Sequence, residues 1–149
     1  MKLKFLNNND NLSFYAMENS SLNKVPMYGD SVSAGFPSPA EDYLDLDLNL
    51  HDYLVQNPAA TFCVRANGDS MIDAGINDGD FAIIKKQSTA NNGDIAVALT
   101  NENEATLKRF RKRGDTIALE AANESYETRI YSAGQISIQG ILIGLIRQY

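Results

Sequence analysis

The chain has one cysteine, one histidine and no tryptophan among its 149 residues. Counting alone excludes a zinc finger, a multi-ligand Cys/His metal site and a disulfide framework. A reducing compartment is the simplest reading of the lone thiol, Cys63. Positive charge is also scarce: 13 Lys and Arg stand against 19 Asp and Glu, for a net charge of −6. That balance argues against a protein that clamps a phosphate backbone by bulk electrostatics, so any nucleic-acid role is expected to be indirect. No apolar run approaches the roughly 18 residues of a membrane span. The opening Met1-Lys2-Leu3-Lys4-Phe5-Leu6 collapses into Asn7-Asn8-Asn9-Asp10 before a signal-peptide core forms. The expectation is a soluble, cytoplasmic chain with one buried core.

What is present divides into two textures. Residues 1–34 hold six Asn, scattered Ser and isolated apolar residues with no sustained helical period. They read as an extended arm, either disordered or laid onto another surface, because its apolar area is too small to offset the entropy of ordering it alone. Its three Lys balance its three acids, which leaves the whole negative charge to residues 35–149. The boundary, Ser33-Ala34-Gly35-Phe36-Pro37-Ser38-Pro39, is a hinge whose prolines favour an extended backbone. Beyond it, Asn49 is placed to cap a short helix that ends before Pro58. Strands are then expected at Thr61–Ala66, Phe81–Ile84, Ile95–Leu99, Ala105–Phe110, Thr116–Glu120, Thr128–Tyr131, Ile136–Gln139 and Ile141–Ile146. Short strands separated by Gly, Asn and Asp turns indicate a mostly-β domain.

Of eleven serines, Ser70 stands apart. It lies in Gly68-Asp69-Ser70-Met71, directly after a strand, where a glycine turn exposes a hydroxyl and can aim neighbouring N–H groups at an oxyanion. Such turns are structural more often than catalytic. A nucleophilic serine needs a base, and His51, inside the short helix beside Asp52, reads as a structural residue. The alternative base is a lysine kept neutral by desolvation or neighbouring cations. Lys108 fits, since period-two alternation sets it on one face with Thr106 and Phe110, and Arg109, Arg111, Lys112 and Arg113 add positive charge. A solvated basic strand that discourages edge pairing fits the same residues. Cys63 reads as a core thiol. The acids of Asp42–Asp47 lack a neighbouring ligand set, so no metal is expected there.

Gly68-Asp69-Ser70-Met71, Gly75-Ile76-Asn77-Asp78-Gly79-Asp80, Asn92-Gly93-Asp94-Ile95 and Thr106-Leu107-Lys108-Arg109-Phe110, in that order, resemble the LexA and UmuD family of self-cleaving Ser/Lys peptidases. The segment Ala34-Gly35-Phe36-Pro37-Ser38-Pro39-Ala40-Glu41-Asp42-Tyr43 is closer to the UmuD cleavage region than to that of LexA. The resemblance implies a LexA-type peptidase fold of twisted, β-clip-like sheets with an extended arm. It also implies Ser70 as nucleophile, Lys108 as base, the Asp69 and Ser70 N–H groups as oxyanion donors, and scission between Ala34 and Gly35. No cofactor or metal is implied. The implied partners are a second copy of the chain, the RecA filament on single-stranded DNA, which stimulates the cut, and a UmuC-like translesion polymerase served by the trimmed homodimer in the response to DNA damage. The alternatives are a fragment of a LexA-like repressor or a dimeric adaptor without catalysis. Direct operator binding is not expected, because the arm has no Arg and no helical period. A membrane-anchored signal peptidase is disfavoured because no anchor is visible.

Overall fold

The computed structural model describes residues 1–18, 25–28 and 44–149. The element order is β1 (Lys2–Asn8), β2 (Leu12–Glu18), β3 (Val25–Tyr28), β4 (Leu44–Leu48), α1 (Leu50–Leu54), β5 (Thr61–Ala66), β6 (Phe81–Lys86), β7 (Ile95–Thr100), β8 (Ala105–Arg113), β9 (Thr116–Glu120), β10 (Arg129–Ser132) and β11 (Ile136–Ile146). Nine strands form one antiparallel sheet in the order β1-β2-β5-β6-β11-β7-β8-β9-β10, and β3 pairs with β4 apart from it. The mostly-β reading therefore holds. Among the described residues no helix is long and apolar enough to cross a membrane.

The sheet curls around its core. Leu12 of β2, Val64 of β5, Ile84 of β6, Val97 of β7 and Leu107 of β8 share one buried cluster, although β2 and β8 are far apart in strand order. The opposite face of β7 and β8 is buried too, with Ala96, Ala98 and Phe110 packed against Ile117 and Leu119 of β9. A strand covered on both faces needs small or branched residues, which explains Ile95-Ala96-Val97-Ala98-Leu99 in β7.

Two elements sharpen or differ from the sequence reading. Residues 1–18, read as part of an extended arm either disordered or laid onto another surface, are laid onto the domain as a β-hairpin whose second strand pairs with β5 from Leu12↔Ala66 to Tyr15↔Cys63. The hairpin's apolar residues suffice to order it because β5 and the core supply the other half of the buried surface. The segments Ile136–Gln139 and Ile141–Ile146 are one strand, with Gly140 in register with both Val97 and Lys86. Gly140 is a close-packing position and not a turn, since a Cβ there would lie 2.5 Å from Ile84 Cγ2 and from the Lys85 carbonyl oxygen. The capped helix forms as expected, with Asn49 Oδ1 accepting from Asp52 N–H at 3.1 Å.

Candidate active site

The turn after β5 is built from backbone constraints upward. Gly68 takes φ +107°, which turns the chain out of the strand, and its N–H donates to Asp78 Oδ1 at 2.7 Å. From the other side, the segment following β9 holds the same turn. Ala122 N–H donates to the Ser70 carbonyl at 2.8 Å, Asn123 Nδ2 to the Asp69 carbonyl at 3.0 Å, and the Tyr126 hydroxyl to Asp69 Oδ1 at 2.6 Å. Met71, next in the chain, is buried in the central cluster. Ser70 is thus fixed in position while its hydroxyl faces a cleft of about 350 Å³. Among the described residues, no hydrogen bond engages the N–H of Asp69 or of Ser70.

Lys108 enters the cleft from β8. Leu107 points into the central cluster and Phe110 into the second one, so the strand cannot rotate or slip without emptying a core site. Lys108 Nζ lies 3.0 Å from Ser70 Oγ, 2.8 Å from Thr106 Oγ1 and 3.2 Å from the Leu107 carbonyl oxygen. A charged ammonium donates to all three. A neutral amine has two N–H donors and one lone pair, so it can serve Thr106 and Leu107 and accept the Ser70 proton. Burial pushes the Lys108 pKa down from 10.5 to about 8, the Arg129 guanidinium adds to that fall, and Glu104 opposes it.

The structure thus brings Ser70 and Lys108 into contact across 38 positions of sequence. It also changes the source of the positive charge. The cation acting on Lys108 is Arg129 of β10 and not the run from Arg109 to Arg113. Arg109 donates to the Gly93 carbonyl at 2.8 Å, and Arg111 pairs with Glu120 at 2.9 Å. The sequence reading also missed Asn11, Glu104 and Tyr126 in the wall of the cleft. Asn11 Nδ2 donates to Glu104 Oε1 at 2.8 Å, so the N-terminal hairpin touches a residue that acts on Lys108. No local sequence signal marks these residues, because pairing of distant strands assembles them.

His51 is buried in α1 and is not among the residues lining the cleft. Cys63 is buried in β5, and desolvation pushes its thiol up to about 12, as suits an inert core residue. The expected scissile pair, Ala34 and Gly35, lies outside the described residues. Among the described residues, no group of three His, Cys, Asp or Glu side chains is arranged to hold a metal ion.

The chain is similar to two proteins named LexA repressor from two strains of Cereibacter sphaeroides. Each is 46% identical over 125 residues, covering 84% of this chain and 55% or 54% of the relative. The chain therefore spans about half the length of the curated relatives it matches. A Peptidase S24-like family model matches residues 26–143, which take in the Ser70 turn, Lys108 and the strands that bring them together. The chain belongs to the peptidase S24-like family.

Proposed function

We propose that the protein is a Ser/Lys self-cleaving endopeptidase that cuts its own chain between Ala34 and Gly35. The observation that carries this reading is the 3.0 Å contact between Ser70 Oγ and an Nζ whose pKa is lowered to about 8. Neutral Lys108 takes the Ser70 proton as Oγ attacks the Ala34 carbonyl carbon. The N–H groups of Asp69 and Ser70 hold the oxyanion. Lys108 then passes the proton to the Gly35 nitrogen, the peptide bond breaks, and an ester joins Ala34 to Ser70. Water, deprotonated by Lys108, opens that ester to leave a carboxylate on Ala34 and a free amine on Gly35. Tethering the substrate in the same chain, or in a dimer partner, raises its effective concentration, so little intrinsic affinity is needed.

Latency follows from the same parts. At pH 7 a group with pKa about 8 is neutral in about one molecule in ten, and the Ala34-Gly35 segment must also reach the cleft. A RecA filament on single-stranded DNA would favour the cleavable conformer by binding it preferentially. The cleaved homodimer would then serve a UmuC-like translesion polymerase in the DNA-damage response. The similarity to proteins named LexA repressor favours a second reading, in which the same self-cleavage inactivates a repressor. Intact mass spectrometry after incubation with RecA, ATP and single-stranded DNA tests the chemistry. Fragments 1–34 and 35–149 are expected from the native chain, and neither from Ser70→Ala or Lys108→Ala. A native chain that stays whole in that mixture and at alkaline pH overturns the proposal. Binding assays with a UmuC-like polymerase and with operator DNA separate the two readings.

A further inference from the structure

The N-terminal hairpin is built into the domain from which the proposed cut would sever it. Leu12, 2% exposed, sits in the same buried cluster as Met71 and Leu107, the neighbours of Ser70 and Lys108. Phe14 stacks on Phe62 at 6.2 Å, and Tyr15 meets Phe81 edge-on at 5.3 Å. The tip of the hairpin is tied down by polar contacts as well. Asn9 Nδ2 donates to the Ala105 carbonyl at 3.2 Å, Asn67 N–H to the Asn11 carbonyl at 3.0 Å, and Asn67 Nδ2 to Ser13 Oγ at 3.2 Å. Without β2, the β5 edge would present a row of unpaired backbone groups beside an opened core. The scissile bond lies sixteen residues beyond Glu18, the last residue of β2, so cutting it breaks none of these contacts.

We infer that the β5 edge and the core groove beside it form a binding surface for the N-terminal product, so that residues 1–34 stay attached as a separate chain after the cut. This rests on the self-cleavage reading. The product is then a two-chain domain in which Asn11 still lines the cleft and still donates to Glu104. The cut changes what is covalently joined without dismantling the sheet.

Two arms of one experiment test this. In the first, the native chain is allowed to cut itself. In the second, a Ser70→Ala chain with an exogenous protease site inserted between Asp30 and Ser31 is cut by that protease, so attachment is read independently of self-cleavage. Size exclusion and native mass spectrometry at micromolar concentration are expected to show the two fragments together in one-to-one ratio, parting only under denaturing conditions. Leu12→Asp is expected to release at least about ten times more free N-terminal fragment. Should that variant not fold, Phe14→Ser replaces it, and the unsubstituted chain decides on its own. An N-terminal fragment that is mostly free in the unsubstituted chain, or equal retention in the Leu12 or Phe14 variant, overturns the inference. A chain that never cuts itself refutes the proposed function and leaves the second arm to decide attachment.

Discussion

Lys108 is held between burial, which favours the neutral amine, and a hydrogen-bond set that accommodates either protonation state. With a pKa of about 8, its neutral fraction climbs about tenfold per pH unit below pH 7 and saturates above about pH 9. The self-cleavage rate is expected to follow that curve. Arg129→Gln removes the like charge that helps lower the pKa, so the curve should move toward higher pH while its alkaline plateau is kept. Glu104→Gln should move it the other way. Single-turnover cleavage measured from pH 6 to 10 distinguishes these shifts from a general loss of activity, which would lower the plateau. Stability carries the matching sign. The folded pKa is below the unfolded one, so the cost of burying a charged Lys108 is present below about pH 8 and fades as pH rises toward 10.5.

At the level of elements, the site depends on strands whose register cannot slip. Gly140 lies where β11 passes from pairing with β7 to pairing with β6, and an added Cβ would meet the backbone oxygen of Lys85 at 2.5 Å. Backbone cannot swing aside as a flexible side chain can, so Gly140→Ala is expected to cost about 1–3 kcal/mol. Urea titration followed by circular dichroism measures this, and an unchanged midpoint would mean that β11 relaxes freely. Gly140 also shows what local patterning cannot resolve. A glycine between two apolar runs signals a turn by composition, and only its two sheet neighbours make it a close-packing site. The turn at Ser70 and the strand alternation at Lys108 are local signals that single out the two residues, each of which also fits a structural role, and the family resemblance is what pairs them. Arg129 and Asn11 carry no such signal, because β10 and the β1–β2 turn reach the cleft through pairings among distant strands.

For the molecule as a whole, the question is whether residues 1–18 form an appendage or a share of the cooperative unit. Patterning favours an appendage, since the segment is rich in Asn and its apolar residues hold no sustained helical period. Packing gives the opposite answer, because β2 completes the β5 edge and Leu12 fills the cluster that also holds Val64, Met71, Ile76 and Leu107. Leu12→Ala should therefore destabilise the entire domain by about 2–5 kcal/mol, the usual cost of emptying a buried leucine site. The unfolding transition should shift as one step without splitting, because the emptied volume belongs to a core shared by five strands. With no tryptophan, circular dichroism and tyrosine fluorescence are the natural probes, and Tyr15 reports from β2 itself. An appendage would leave the midpoint unmoved and would show fast amide exchange in β2. A shared core requires β2 amides paired to β5 to exchange as slowly as those joining β5 to β6.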